Sequence, residues 1–288
     1  GVPVIYRDEA GQSQETQARV IDFRQPAGNR FLVVRELKIQ GLTVPHYNRR
    51  ADLVCFVNGL PLVFVELKAV YRNIRAAYDG NLSDYRDTIP HAFHHNAFLV
   101  VSNGHHARYG TITAPWDHFN EWKRNDEQES GANVTARTLL DGMLDKARLL
   151  DLVENFVLFD DSRAGGTRKV IARNHQVLGV NQAVDSVRRQ EELKRQFPER
   201  HRRRAAYHTG PTPSVVRIDP SRETDLPMAA DEVAGSSQAL GHLDVPMPAA
   251  DLALPLVERA HPDLGRLGVF WHTQGSGKSY SMAFFTEK

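Results

Sequence analysis

The chain has 288 residues, 41% of them hydrophobic, with a formal net charge of +1 and a single cysteine, Cys55. This length allows one or two domains with a core, the lone cysteine excludes an internal disulfide framework, and no apolar run reaches the roughly 18 residues needed to span a bilayer. Near-neutral charge gives no argument for a nucleic-acid partner, so local charge has to supply one. No signal peptide is visible, and the chain reads as cytoplasmic. It starts at Gly1 and stops at Lys288, just after a motif that should open a domain, and so reads as a piece of a longer protein.

In chain order, residues 2–6, 18–23 and 31–39 read as strands separated by polar and Pro/Gly-rich connections. Leu53 to Val57 and Leu62 to Val65 are continuous apolar runs, rich in Val and Phe, as expected of strands buried on both faces. Asn58-Gly59-Leu60-Pro61 between them is a turn signal. Residues 72–87 are helical in pattern, with Ile74, Tyr78, Leu82 and Tyr85 on one stripe and Pro90 as a stop. Ala97 to Val101 is another buried strand, closed by Ser102-Asn103-Gly104. This order predicts an α/β fold, a mixed sheet with helices packed on it.

Trp116, Phe119 and Trp122 sit at helical spacing within 115–124, a pattern of core packing rather than base stacking. Residues 125–135 read as a loop, Leu139 to Val157 as one helix, and 160–167 as a loop. Residues 169–190 read as a helix broken or kinked near Gly179. Residues 191–204 are strongly charged, with Lys194, Arg195 and Arg200 among them, as at a solvated helix end or a phosphate contact. Residues 205–250 have the composition of a flexible linker or insertion, and order resumes near Leu252.

The charges of the central hairpin lie at its outer ends: Asp52 on one strand, Glu66 and Lys68 on the other. Glu66 and Lys68 share a face. A three-residue loop would pair Val57 with Pro61 and set Asp52 opposite Glu66, whereas a plain two-residue turn would put the carboxylates on opposite faces. A metal site therefore predicts an odd-numbered loop or a compensating bulge. Two close carboxylates suit Mg²⁺, and Lys68 would orient a water or offset charge at phosphorus. The pattern is similar to that of the PD-(D/E)xK nucleases. Asp22, Glu36 and Lys38 repeat it with the same 14-residue separation, but on strands that look like a solvated edge. Arg49 and Arg50, beside Asp52, read either as phosphate contacts or as solvated turn residues.

Near the other end, Leu267 to Trp271 is a short strand signal. His272-Thr273-Gln274-Gly275-Ser276-Gly277-Lys278-Ser279 follows, then a helix-compatible run from Tyr280 to Phe285. Strand, glycine-rich loop and helix are the context of a P-loop. Gly275 and Gly277 would admit phosphates to the backbone, Lys278 would reach the β/γ-phosphates of ATP, and Ser279 would ligate Mg²⁺. His272 stands where glycine is usual. No later acidic motif is present, so this stretch alone is not expected to hydrolyse ATP.

Together these segments resemble the R (restriction and motor, HsdR-type) subunit of type I restriction-modification enzymes, over most of residues 1–190 and 260–288. The resemblance implies a PD-(D/E)xK nuclease domain at 1–160 and a connecting helical segment at 161–190. A linker or insertion at 191–255 follows, then the start of a RecA-like ATPase domain at 256–288. It implies Asp52 and Glu66 as Mg²⁺ ligands and Lys68 as the catalytic lysine. Gln176 corresponds to a glutamine that reads adenine, and Thr273 to Ser279 to the ATP-phosphate loop. The implied partners are double-stranded DNA and the modification and specificity subunits, with no membrane. Four departures stand out. Ala51 replaces a proline, and Asn81-x-x-x-Tyr85 replaces Gln-x-x-x-Tyr. The 191–255 stretch is long, and the family's first helices would lie upstream of Gly1. Two alternatives are a nuclease-like scaffold that binds DNA or partner subunits without cutting, and a helicase of another class with an accessory nuclease domain.

Overall fold

The structure is a computed structural model that describes residues 2–42, 47–126, 135–162, 166–199, 203–207, 255–268 and 274–288. It divides into two compact units, one of Gly1–Arg188 with Leu267–Lys288, the other of Arg189–Arg266.

The first unit is built on a five-stranded mixed sheet. Its strands are β3 (Phe31–Gln40), β4 (Asn48–Val57), β5 (Leu60–Leu67), β6 (Phe98–Ser102) and β7 (Ala107–Gly110), in that spatial order. β5 and β6 run parallel and the other neighbours antiparallel. β6 and the apolar runs of β4 (Leu53 to Val57) and β5 (Leu62 to Val65) form the middle of the sheet, and both faces of the sheet are covered. One face packs Val57, Val63, Phe98 and Val100 under helices α2 (Thr135–Met143) and α3 (Lys146–Asn155). The other packs Val54, Phe64, Leu99 and Val101 under the 77–88 helical segment and Phe119. β3 is the edge, mostly exposed along its length. A separate hairpin of β1 (Val2–Arg7) and β2 (Ser13–Ala18) precedes the sheet.

The helix over the catalytic-looking strands is continuous but uneven. π-helical turns at Ala77–Leu82 lead into α1 (Ser83–Thr88). Of the expected stripe, Ile74, Leu82 and Tyr85 are buried and Tyr78 is half-buried.

Several expectations need correction. Residues 19–23 are bends and irregular backbone, and the strand lies earlier, at β2. Asp22 Oδ1 accepts the N–H groups of Arg24 and Gln25, and the Asn29 amide clamps Asp22, so side chains outcompete a ladder there. The 115–124 stretch holds one 3₁₀ turn, Trp116–His118, although Phe119 and Trp122 are core residues as the spacing implied. The single helix expected over 139–157 is two, because Asp145 caps α3 by accepting the Arg148 N–H. A hairpin of β8 (Val157–Asp160) and β9 (Arg168–Ile171) flanks the expected loop and takes the place of the expected helix start at 169. Helix α4 (Asn174–Gln196) then passes Gly179 without a break.

Gly110 ties this core to the helix above it. A methyl group there would lie 2.6–2.9 Å from three atoms of the buried Phe119 ring. Phe119 meets Tyr78 edge-on at 5.1 Å and stacks on Trp116 at 5.9 Å. Gly110→Ala is expected to cost about 1–3 kcal/mol of stability, read as a lowered midpoint in thermal unfolding.

In the second unit, β10 (Arg203–Tyr207) pairs antiparallel with β11 (Pro255–Arg259). The strand at 203–207 departs from the expected charged helix end and linker, most of which (208–254) lies outside the described residues. Among the described residues no helix is long and apolar enough to cross a membrane.

Candidate active site

The β4–β5 hairpin decides whether two carboxylates can meet. Asn58 (φ 50°) and Gly59 (φ 87°) form a two-residue turn with both residues left-handed, which matches the twist of the strands. Of the two alternatives expected of a metal site, an odd-numbered loop or a compensating bulge, the hairpin has the bulge. Val57 pairs with Leu60 and Phe56 with Pro61, but Cys55 pairs with Val63, so Leu62 is an extra residue in a bulge. Pro61 beside it has no N–H to give a ladder, which favours the irregularity at that position. Beyond the bulge Leu53 faces Val65, and the same register sets Asp52 opposite Glu66. A ladder without the bulge would send the two side chains to opposite faces.

The side chains form one network. Glu66 is fully buried. Its Oε1 accepts the Asp52 N–H at 3.4 Å, and its Oε2 accepts Asn81 Nδ2 at 2.6 Å. Asn81 Oδ1 in turn accepts Lys68 Nζ at 3.0 Å, so one amide holds both the acid and the lysine. Asp52 Oδ2 accepts the Leu67 N–H at 2.8 Å, and among the described residues nothing donates to Oδ1. Burial pushes the Glu66 carboxyl up to about 7, the bond from Asn81 opposes this, and the Asp52 charge adds to it. Tyr85 donates to Arg50 O at 2.9 Å. Burial and the nearby carboxylates push its phenol above its ordinary value. Asn81 belongs to the π-helical turns, whose extra residue per turn changes where the short side chain is presented.

Arg49 is not free for a phosphate. Its guanidinium is paired with Asp84 on α1, through Nε and through Nη2 at 2.7 Å, and lies 5.0 Å over the Tyr47 ring. It fastens the helix carrying Tyr85 to β4. Sequence spacing gives no sign of this long-range pair. Arg50 is exposed and pairs loosely with Glu36 at 3.7 Å.

The structure disperses the repeated set. Asp22 sits in the loop beside Asn29, which reaches Asn58 at the turn end of the hairpin. Glu36 lies five residues beyond Phe31 along β3, roughly 17 Å of strand. Glu36 has φ 52°, and the β3–β4 pairing omits both Glu36 and Asp52 between Arg35↔Leu53 and Leu37↔Ala51.

Among the described residues no group of three or more His, Cys, Asp or Glu side chains could hold a metal. The Asp52–Glu66 pair offers two hard oxygen donors, and a fully buried carboxylate is one that a cation stabilises. This donor set fits Mg²⁺, which keeps several waters and uses few protein ligands.

At the second motif, Gly275 (φ 78°) and Gly277 (φ 86°) are left-handed, and Gly277 caps α5 (Lys278–Glu287). A cavity of about 550 Å³ is lined by Gln274 to Ser279 and by Gln176, Lys169 and Thr111. Gln176 is buried. Its Oε1 accepts the Arg173 N–H at 2.8 Å and its Nε2 donates to Gly277 O at 2.9 Å. It braces the glycine loop, a role that motif spacing does not reveal. Thr273, His272 and most of the expected strand before them lie outside the described residues.

Residues 1–118 match the family described as type I restriction enzyme R protein N terminus, and residues 251–288 match the SWI2/SNF2 ATPase family. The type I restriction enzyme HindI endonuclease subunit of Haemophilus influenzae is 30% identical over the whole chain, which covers 21% of that protein. The putative MjaIXP endonuclease subunit of Methanocaldococcus jannaschii is 28% identical over 64% of the chain, covering 19% of its own length. The chain thus spans about a fifth of the length of the curated relatives it matches.

Proposed function

The chain belongs to the family of type I restriction enzyme R proteins, and on that premise we propose that Asp52, Glu66 and Lys68 cut DNA phosphodiester bonds with Mg²⁺. The observation that carries this reading is the bulged register that sets Asp52 opposite Glu66, with Lys68 tied to the same network through Asn81. Asp52 and Glu66 would hold the Mg²⁺. When bound it would lower the pKa of a water and neutralise charge at the phosphate. Lys68 would place its ammonium against the developing charge of the phosphorane. Asn81 keeps that ammonium and the Glu66 carboxylate in fixed relation. Tyr85 and the Arg49–Asp84 pair hold the helix that carries Asn81. None of these groups reads a base edge, which suits cleavage without sequence preference at the cut.

In the complete protein we assign the glycine loop to ATP. Lys278 and Ser279 would meet the phosphates and their Mg²⁺, and Gln176 would brace the loop from behind. The whole protein would couple ATP-driven movement along DNA to cleavage, with specificity and modification subunits supplying recognition and methylation. Such an enzyme would work in the cytoplasm. The segment boundaries at 160, 190 and 255 belong to this same reading.

Lys68→Met tests the chemistry. In the reconstituted complex, supercoiled-plasmid cleavage is expected to fall about 10²–10³-fold, with ATP hydrolysis retained. Cleavage at the wild-type rate would remove Lys68 from the mechanism.

A further inference from the structure

Just past Lys68 the chain leaves the sheet and exposes Val70 and Tyr71, the latter 83% exposed. The loop is held in place: Asn103 Nδ2 donates to the carbonyls of Val70 and Arg72, both at 3.1 Å. It opens on a cavity of about 600 Å³ walled by Tyr71, Arg72, Arg75, Arg108 and Trp116. The Arg75 and Arg108 guanidinium groups lie 6.0 and 5.2 Å from the Trp116 ring. A second cavity of about 700 Å³ shares Arg108 and Glu121 with the first and continues along Lys123, Arg124 and Arg173. The two adjoin at Arg108 and Glu121, and together they are called the groove.

The groove lies on the face of the candidate nuclease site. Glu66 pairs with Val101 across β5 and β6, and Val101 with Arg108 across β6 and β7. Cross-strand partners share a face, so Arg108 stands on the Glu66 face, two strands and roughly 10 Å away. Its charge is mostly positive. Arg72, Arg75, Arg108, Lys123, Arg124 and Arg173 line it, against the carboxylates of Asp117 and Glu121 and with Arg75 paired to Asp79 at 3.1 Å, in a chain whose formal net charge is only +1. Glu121 holds Arg108 at 3.5 Å and Lys123 at 3.7 Å. Loose, partly exposed pairs of this kind are worth little, and a phosphate can take over both cations.

We infer that this groove is a track for the DNA backbone beside the scissile phosphate, with Arg72, Arg108 and Lys123 on successive phosphates and Tyr71 against a sugar or base face. The inference rests on the nuclease reading, since the track gains its meaning from the site it borders. Phosphate contacts of this kind set the position of the strand and carry no sequence information. The exposed tyrosine adds a stacking surface that any base satisfies.

The test uses the full-length protein carrying Glu66→Gln, so that bound DNA stays intact, and a fluorescein-labelled duplex titrated over a series of KCl concentrations. Adding Arg72→Glu with Lys123→Glu is expected to weaken binding by about tenfold or more. It should also flatten the log Kobs against log[salt] slope by about 2. The conservative pair Arg72→Lys with Lys123→Arg should restore both and shows that the fold is intact. Unchanged affinity and slope in the charge-reversed protein would overturn the track. So would normal DNA binding combined with lost association with the other subunits, which would make the groove a protein interface. If Glu66→Gln alone still cuts, the nuclease reading fails, whatever the groove does.

Discussion

Glu66→Gln is expected to abolish DNA cleavage, by about 10³-fold or more, while ATP hydrolysis in the same reactions stays at the wild-type rate. The same change is expected to stabilise the metal-free protein. Glu66 titrates at 4.5 when unperturbed and at about 7 in the fold, because burial and Asp52 disfavour its anion. At pH 4 the carboxyl is protonated in both states and costs nothing. Between 4.5 and 7 the unfolded chain ionises while the fold holds the proton, so wild-type stability falls as pH rises. Above 7 the full cost is present, on the order of 3 kcal/mol. Glutamine carries no such charge, so the thermal midpoints of the two proteins should converge near pH 4. At pH 8 the variant should unfold several degrees higher. A site that gives up stability for function behaves this way. A variant that loses cleavage but gains no stability at pH 8 would mean that Glu66 is not the strained anion described here.

On the proposed ATP reading, Lys278→Ala is expected to reduce ATP hydrolysis by the complete protein about 100-fold or more, because its ammonium would neutralise charge on the transferred phosphoryl group. Cleavage that depends on movement along DNA should disappear with it. The two variants therefore fail differently: Glu66→Gln hydrolyses ATP without cutting, and Lys278→Ala does neither. The brace behind the loop offers a control. Gln176 donates to Gly277 O, and a methyl group on Gly277 would lie 2.8 Å from Gln176 Nε2. An intact Lys278 on a distorted loop should thus lose activity too. ATP hydrolysis that survives Lys278→Ala would assign the glycine loop another role.

The sheet was legible because Leu53 to Val57, Leu62 to Val65 and Ala97 to Val101 are unbroken apolar runs that mark β4, β5 and β6, in the middle of the sheet. The edge position of β3 was legible in Arg35 and Glu36, which interrupt its pattern. Other features were hidden for identifiable reasons. The apolar stripe continues through Leu144 and Val157, so it conceals both the Asp145 cap that splits the helix and the β8–β9 hairpin that follows. Residues 18–23 have strand composition, but Asp22 and Asn29 satisfy the backbone with their side chains. The three-residue loop lost to a left-handed Asn58-Gly59 turn, with the compensating bulge at Leu62, and Pro61 was the available signal. In the site, the register argument brings Asp52 to Glu66 and exposes the weakness of spacing alone, since Asp22 and Glu36 have equal separation yet lie far apart. The Arg49–Asp84 pair and the Gln176 brace join residues distant in sequence, which a single chain does not announce.

The central claim is that Asp52 and Glu66 together bind a divalent cation. The direct measurement is calorimetric titration of Mn²⁺ into the nucleotide-free protein at pH 6 and pH 8, wild type beside Glu66→Gln. The cation must displace the Glu66 proton, so apparent affinity should fall about tenfold per pH unit below 7, with proton release. The account predicts one site about tenfold tighter at pH 8 than at pH 6 and absent from Glu66→Gln. A site with equal affinity at both pH values, or one that survives Glu66→Gln, would contradict it.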